Sequence, residues 1–110
     1  MAGIGLAILR HLVSQSHNVV ALARSTEILR QIRDEHPEQV RPLAGDMKDF
    51  SLATKAVDLA IKEFGHLDGL VVNHGAMFGV NRLEDCNLDD WRAMFDINFF
   101  SAVAFVGSPL

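Results

Sequence analysis

Helical periodicity and short, unbroken apolar runs alternate along this chain, and that alternation limits the folds open to it more than any other feature. Ile8, Leu9, Leu12 and Val13 form the stripe of a helix expected from about Gly5 to Ser16, with Ala7 small enough to lie close against a sheet. Asn18 to Ala23 is then apolar at every position from Val19, as a strand buried on both faces is. Ser25 or Thr26 can cap a second helix with Ile28, Leu29 and Ile32 inward, and Pro37 stands just beyond its end. Val40 to Ala44 reads as a weaker strand, placed near a sheet edge by Pro42 and followed by a turn at Gly45-Asp46.

Leu52, Ala56, Leu59, Ala60 and Phe64 recur at helical spacing over Ser51 to Phe64, and Gly65 is set to end that helix in a left-handed conformation. Leu70-Val71-Val72 is the centre of a third strand over Asp68 to Asn73, followed by a glycine-containing loop to Glu84. Asn87 caps a long helix from Leu88 towards Phe105, with Asp89 and Asp90 in its first turn, where the helix dipole favours negative charge. Strands alternating with helices form a parallel sheet with crossover helices, which is a doubly wound α/β fold. The series opens on a helix, and right-handed winding puts the strand that would precede it in the middle of the sheet. The expectation is an incomplete sheet with open ladders, belonging to a longer protein or completed by a partner.

At 110 residues and 49% apolar, residues 1–110 make one domain at most, with ample material for a core. A net charge of −4 and ten scattered Lys and Arg argue against nucleic acid or an anionic membrane as partner. Cys86 is alone, which fits a reducing compartment. Ile4 to Leu9 is too short for a secretory segment and is stopped by Arg10 and His11. Ile97 to Leu110 is interrupted by Asn98 and Ser101 and falls below the ~20 residues of a membrane span. A soluble, cytoplasmic protein is expected. None of His11, His17, His36, His66 and His74 makes a metal-ligand spacing with another, so no metal is expected.

Gly3-Ile4-Gly5 runs straight into the first helix. Two glycines there let backbone approach a pyrophosphate, and the helix N-terminus offers N–H groups and partial positive charge to the anion. The end of the next strand is where a dinucleotide's adenosine ribose would lie. An acid there accepts from the 2′-hydroxyl of NAD, and a cation accommodates the 2′-phosphate of NADP. This chain has Arg24 and no Asp or Glu from Asn18 to Thr26, which favours NADPH over NADH. The plainer reading of Arg24 is a solvated cation opening a helix.

These pieces in this order resemble the N-terminal half of the short-chain dehydrogenase/reductase family. Gly3, Ile4 and Gly5 match the last three positions of its Thr-Gly-x-x-x-Gly-x-Gly turn. Asp46 matches the Asp that contacts the adenine amino group, and Asn73 and Gly75 match the Asn-Asn-Ala-Gly segment, where Val72 and His74 depart from it. Asp90-Trp91 and Asp96-Ile97-Asn98 resemble the long helix whose Asn belongs to the catalytic tetrad. The resemblance implies a Rossmann-like fold, Asn98 as a catalytic residue, and cofactor contacts from Gly3, Ile4, Gly5, Arg24, Ser25, Asp46, Met47, Asn73, His74 and Gly75. Met47, with Met77 and Phe78, also reads as plain packing, and no proton-transfer role is expected of His74.

The resemblance further implies hydride transfer between NADP(H) and a small carbonyl or alcohol substrate. The tyrosine that would carry the proton is missing, since the chain has no Tyr, and the Tyr-x-x-x-Lys helix lies beyond its span. Residues 1–110 alone are therefore expected to be inactive and to bind NADPH weakly or not at all. Two alternatives stay open. One is a catalytically dead association module using helix 88–106, where Trp91, Phe95, Phe99 and Phe105 present an apolar face to a second copy. The other is an unrelated flavodoxin-like binding domain.

Overall fold

The computed structural model describes residues 3–75 and 82–107; Met77 and Phe78 lie outside them. Helix α1 spans Gly3–Ser14, strand β1 Val19–Ala23, helix α2 Thr26–Glu35, strand β2 Val40–Ala44 and helix α3 Ser51–Phe64. After a short 3-10 turn at Leu83–Asp85 come α4, Leu88–Phe95, a π-helical stretch, Asp96–Phe100, and α5, Ser101–Gly107.

Strands β1 and β2 pair in parallel, from Val19 opposite Val40 to Ala23 opposite Ala44. Strand side chains alternate between the two faces of the sheet, and the packing follows that period of two. Val19, Ala21, Ala23 and Val40 pack with Leu9 and Val13 of α1 and Leu29 and Ile32 of α2. Val20, Leu22 and Leu43 pack on the opposite face with Leu52, Ala53 and Ala56 of α3 and with Phe105 of α5. The result is helix on sheet on helix, with the unbroken apolar sequence of β1 covered on both sides.

The helix ends are set by local chemistry. Helix α1 stops two residues earlier than expected, and Ser16 takes φ 65°. The His17 N–H reaches the Leu12 carbonyl at 3.1 Å and the Ser16 N–H the Val13 carbonyl at 3.0 Å, a Schellman closure with serine where glycine is favoured. Helix α3 ends as the sequence predicts, with Gly65 at φ 83°. Its start is held by Asp49, whose carboxylate accepts from the Ser51 N–H at 3.1 Å and from its hydroxyl at 2.6 Å. Those two bonds, more than nearby Lys55, hold the Asp49 carboxyl below its usual value. Asn87 caps α4 by accepting from the Asp89 N–H at 2.8 Å.

Several expectations are corrected. Ser25 occupies the N-cap of α2, but its side chain makes no capping bond. Ala7 is exposed, because the buried side of α1 centres on Leu9 and Val13. Asp68 to Asn73 forms no strand, so the described residues hold two strands and not three. Leu70, Val71 and Val72 are exposed and pair with neither β1 nor β2. The long helix is not uniformly α: the Ser101 N–H bonds back to the Asp96 carbonyl, five residues away, and marks a π-helical turn. Phe105 is buried against α3 and is no part of the exposed apolar face. No helix among the described residues is long and apolar enough to cross a membrane.

Candidate functional site

The carboxyl ends of the two strands gather the first group of candidates. Gln39, just before β2, donates from its side-chain amide to the Val13 and His17 carbonyls, at 3.1 Å each. The C-terminus of α1 therefore sits at the amino end of the sheet. Twelve helical residues span about 18 Å and five strand residues about 17 Å, so the N-terminus of α1 comes level with the carboxyl ends of the strands.

Helix α1 begins at Gly3, with φ 58°, so Gly3, Ile4 and Gly5 form its first turn and do not precede it as a loop. As first-turn residues their N–H groups have no acceptor within the helix. The turn carries no acidic side chain to offset the positive end of the dipole. A Cβ built on Gly3 meets nothing within 4 Å among the described residues.

Arg24 and Ser25 follow β1 directly, and Arg24 is exposed. Asp46 and Met47 follow β2, and the Gly45 N–H bonds the Ala23 carbonyl at 3.2 Å, which ties the two strand exits together. One oxygen of Asp46 accepts from the Lys48 N–H at 2.9 Å and fixes the carboxylate beside the turn. Met47 packs against the α3 and Phe105 cluster, as its plain reading had it.

The second group lies around the π-helical stretch. Asn73 is exposed, at the end of a segment that forms no strand. Gly75 faces Asn98: a Cβ there would stand 3.1 Å from Asn98 Oδ1. Asn98 is on an exposed part of the helix, and its side-chain oxygen faces the glycine loop. Glycine at 75 is what leaves space in front of the amide.

His74 is half-buried and its Nε2 lies 2.5 Å from Ser101 Oγ. Its ring stacks at a tilt on Phe105, centroids 5.8 Å apart. Phe105 shares a cluster with Met47, so it joins the two groups of candidates. Ser101 is fully buried and was not foreseen as part of the site. The signal was present, since Ser101 breaks an apolar run, but it served only to argue against a membrane span.

The residues present fit a dinucleotide. They offer a helix N-terminus free of acids, an exposed Arg at one strand exit, and a glycine that keeps a space clear before an amide. Residues 1–109 match the sequence profile of the family described as short chain dehydrogenase. An uncharacterized oxidoreductase of Schizosaccharomyces pombe is 35% identical over 94% of this chain and 41% of its own length. The crystal structure of a short-chain dehydrogenase/reductase from Saccharomyces cerevisiae superposes with a TM-score of 0.91 at 31% identity, covering 96% of this chain and 43% of that one. An NADP-dependent 3-hydroxy acid dehydrogenase of Escherichia coli is 28% identical over 88% of this chain and 39% of its length. The chain spans less than half the length of the curated relatives it matches.

Proposed function

The chain belongs to the short chain dehydrogenase family, and from that premise we propose that it forms the nucleotide-binding part of an NADP-dependent oxidoreductase acting on a small carbonyl or alcohol. Membership in the family removes the flavodoxin-like alternative. The observation that carries the reading is the exposed Arg24 at the exit of β1, tied through Gly45 and Ala23 to Asp46 at the exit of β2. Bound NADPH would supply a hydride to the carbonyl, and bound NADP+ would accept one from the alcohol. Arg24 and Ser25 hold the 2′-phosphate, the first turn of α1 receives the pyrophosphate on its free N–H groups, and Asp46 meets the adenine edge. Met47, Asn73 and His74 would line the surface between these points, with Gly75 and Asn98 at its far end. Asn98, whose side-chain oxygen faces Gly75, would act at the reacting end. The E. coli relative described as NADP-dependent supports the choice of cofactor.

Calorimetric titration of NADPH into the full-length protein tests this, beside its Gly75→Val variant. One-to-one binding that the valine abolishes is the expected result. No binding, or binding untouched by the valine, sinks the reading.

One observation favours an associative role beside this one. Leu88, Trp91, Phe95, Phe99, Val103 and Val106 are all exposed along residues 88–106. A second copy packing there would cover them, and sedimentation should show a dimer that Phe95→Glu dissociates. A monomer at every concentration removes this role.

A further inference from the structure

The hydrogen bonds that link His74 to the π-helical stretch are not used by the function proposed above. In an α-helix the Ser101 N–H would bond the Ile97 carbonyl; here it bonds the Asp96 carbonyl, one residue farther back. The Ile97 carbonyl instead accepts from the Ser101 hydroxyl at 2.5 Å. A hydroxyl has one proton, so an Oγ that gives it to Ile97 meets His74 Nε2, 2.5 Å away, as an acceptor. His74 is then the donor, in its Nε2–H tautomer. The loop carrying His74 is thereby fastened to the helix at its π turn, one residue before the glycine that faces Asn98.

We propose that His74 is a positioning residue: as a neutral Nε2–H donor to Ser101 it pins the loop to the π-helical stretch and fixes Gly75 in front of Asn98. The role assigned to Asn98 rests on the proposed function, whereas the fastening itself does not. The surroundings suit a neutral ring. Phe105 lies against it, and the α3 residues of the same cluster, Leu52, Ala53 and Ala56, are apolar. From β1 and β2 that cluster receives Val20, Leu22 and Leu43, with Met47 beyond the strands. Asp96 is the titratable residue of the π-helical stretch, α5 has none, and Lys55, Asp58, Lys62 and Glu63 of α3 are exposed. Burial pushes the imidazole below its ordinary value of 6.5, against a weaker upward pull from the Ile97 carbonyl.

The sign of the linkage follows. The unfolded chain binds a proton near pH 6.5 and the folded chain only below that, so stability falls as pH drops from 6.5 towards the folded value. Glutamine carries its side-chain N–H about as far out as imidazole Nε2 and does not titrate. His74→Gln should therefore keep the fastening and lose the pH dependence.

The experiment is nitrogen-15 NMR of the purified full-length protein from pH 5 to 8, with amide exchange at Gly75. The expected result has His74 neutral as the Nε2–H tautomer and titrating below 6.5. Loss of one hydrogen bond in His74→Ala should speed Gly75 exchange about five-fold, with His74→Gln close to wild type. An Nδ1–H tautomer or a midpoint at or above 6.5 in the unmodified chain overturns the proposal, whether or not the variants fold. So does a glutamine variant that exchanges as fast as the alanine one. NADPH enters none of these readouts, so a failure to bind it counts against the proposed function alone.

Discussion

The α1–β1–α2–β2 layer and the run from Leu88 to Gly107 are both rich in apolar residues, and they use them differently. In the first, Leu29 and Ile32 are 1% exposed and Val40 is 0% exposed, because each faces a neighbour that follows it closely in sequence. In the second, Phe95 and Phe99 are 54% and 55% exposed, and Phe105 alone of its large apolar side chains reaches the core. Between them, Val71 is 58% exposed in a segment with the composition of a buried strand. The radius of gyration of 15.3 Å, against about 13 Å for a compact domain of this length, records the same openness. Apolar sequence becomes core only where the fold gives it a second surface. Local βα pairs supply their own, and strands and helices that need distant partners do not.

The joint between the regions should be the most sensitive place. Phe105→Ala removes the side chain that holds α5 to α3 and should cost about 3–5 kcal/mol in urea unfolding. If the loss is below about 1 kcal/mol, the run from Leu88 to Gly107 is docked by something other than Phe105. Ile32→Ala should cost about 2–5 kcal/mol, while Val71→Ala, cut from an exposed residue, should stay within about 0.5 kcal/mol. Equal losses at the two positions would erase the contrast. Ser16→Gly should raise stability by about 0.5–1 kcal/mol, because the residue sits at φ 65°. A destabilised glycine variant would mean that Ser16 contributes a contact outweighing that strain.

What was legible in the sequence follows the same division. Both strands and the bounds of α3 are as read, because Gly65 and the β1 run act within a few residues of themselves. Asp68 to Asn73 has the composition of a strand, but a strand exists only when another pairs with it. The π turn was invisible because its cause is a change of bonding partner at Ser101, not a residue pattern. Within the site, Gly75 and Asn98 were found separately by motif and are brought together by the fold. Ser101 was missed because its role depends on a histidine 27 residues earlier.

Binding of NADPH and NADH to the full-length protein and to Arg24→Asp tests most directly whether the strand exits form a 2′-phosphate site. Arg24 as the phosphate partner predicts NADPH preferred in the wild type and that preference reduced about 10- to 100-fold in the variant, the worth of one charged hydrogen bond. An unchanged ratio of the two dissociation constants would contradict it and remove Arg24 from the site.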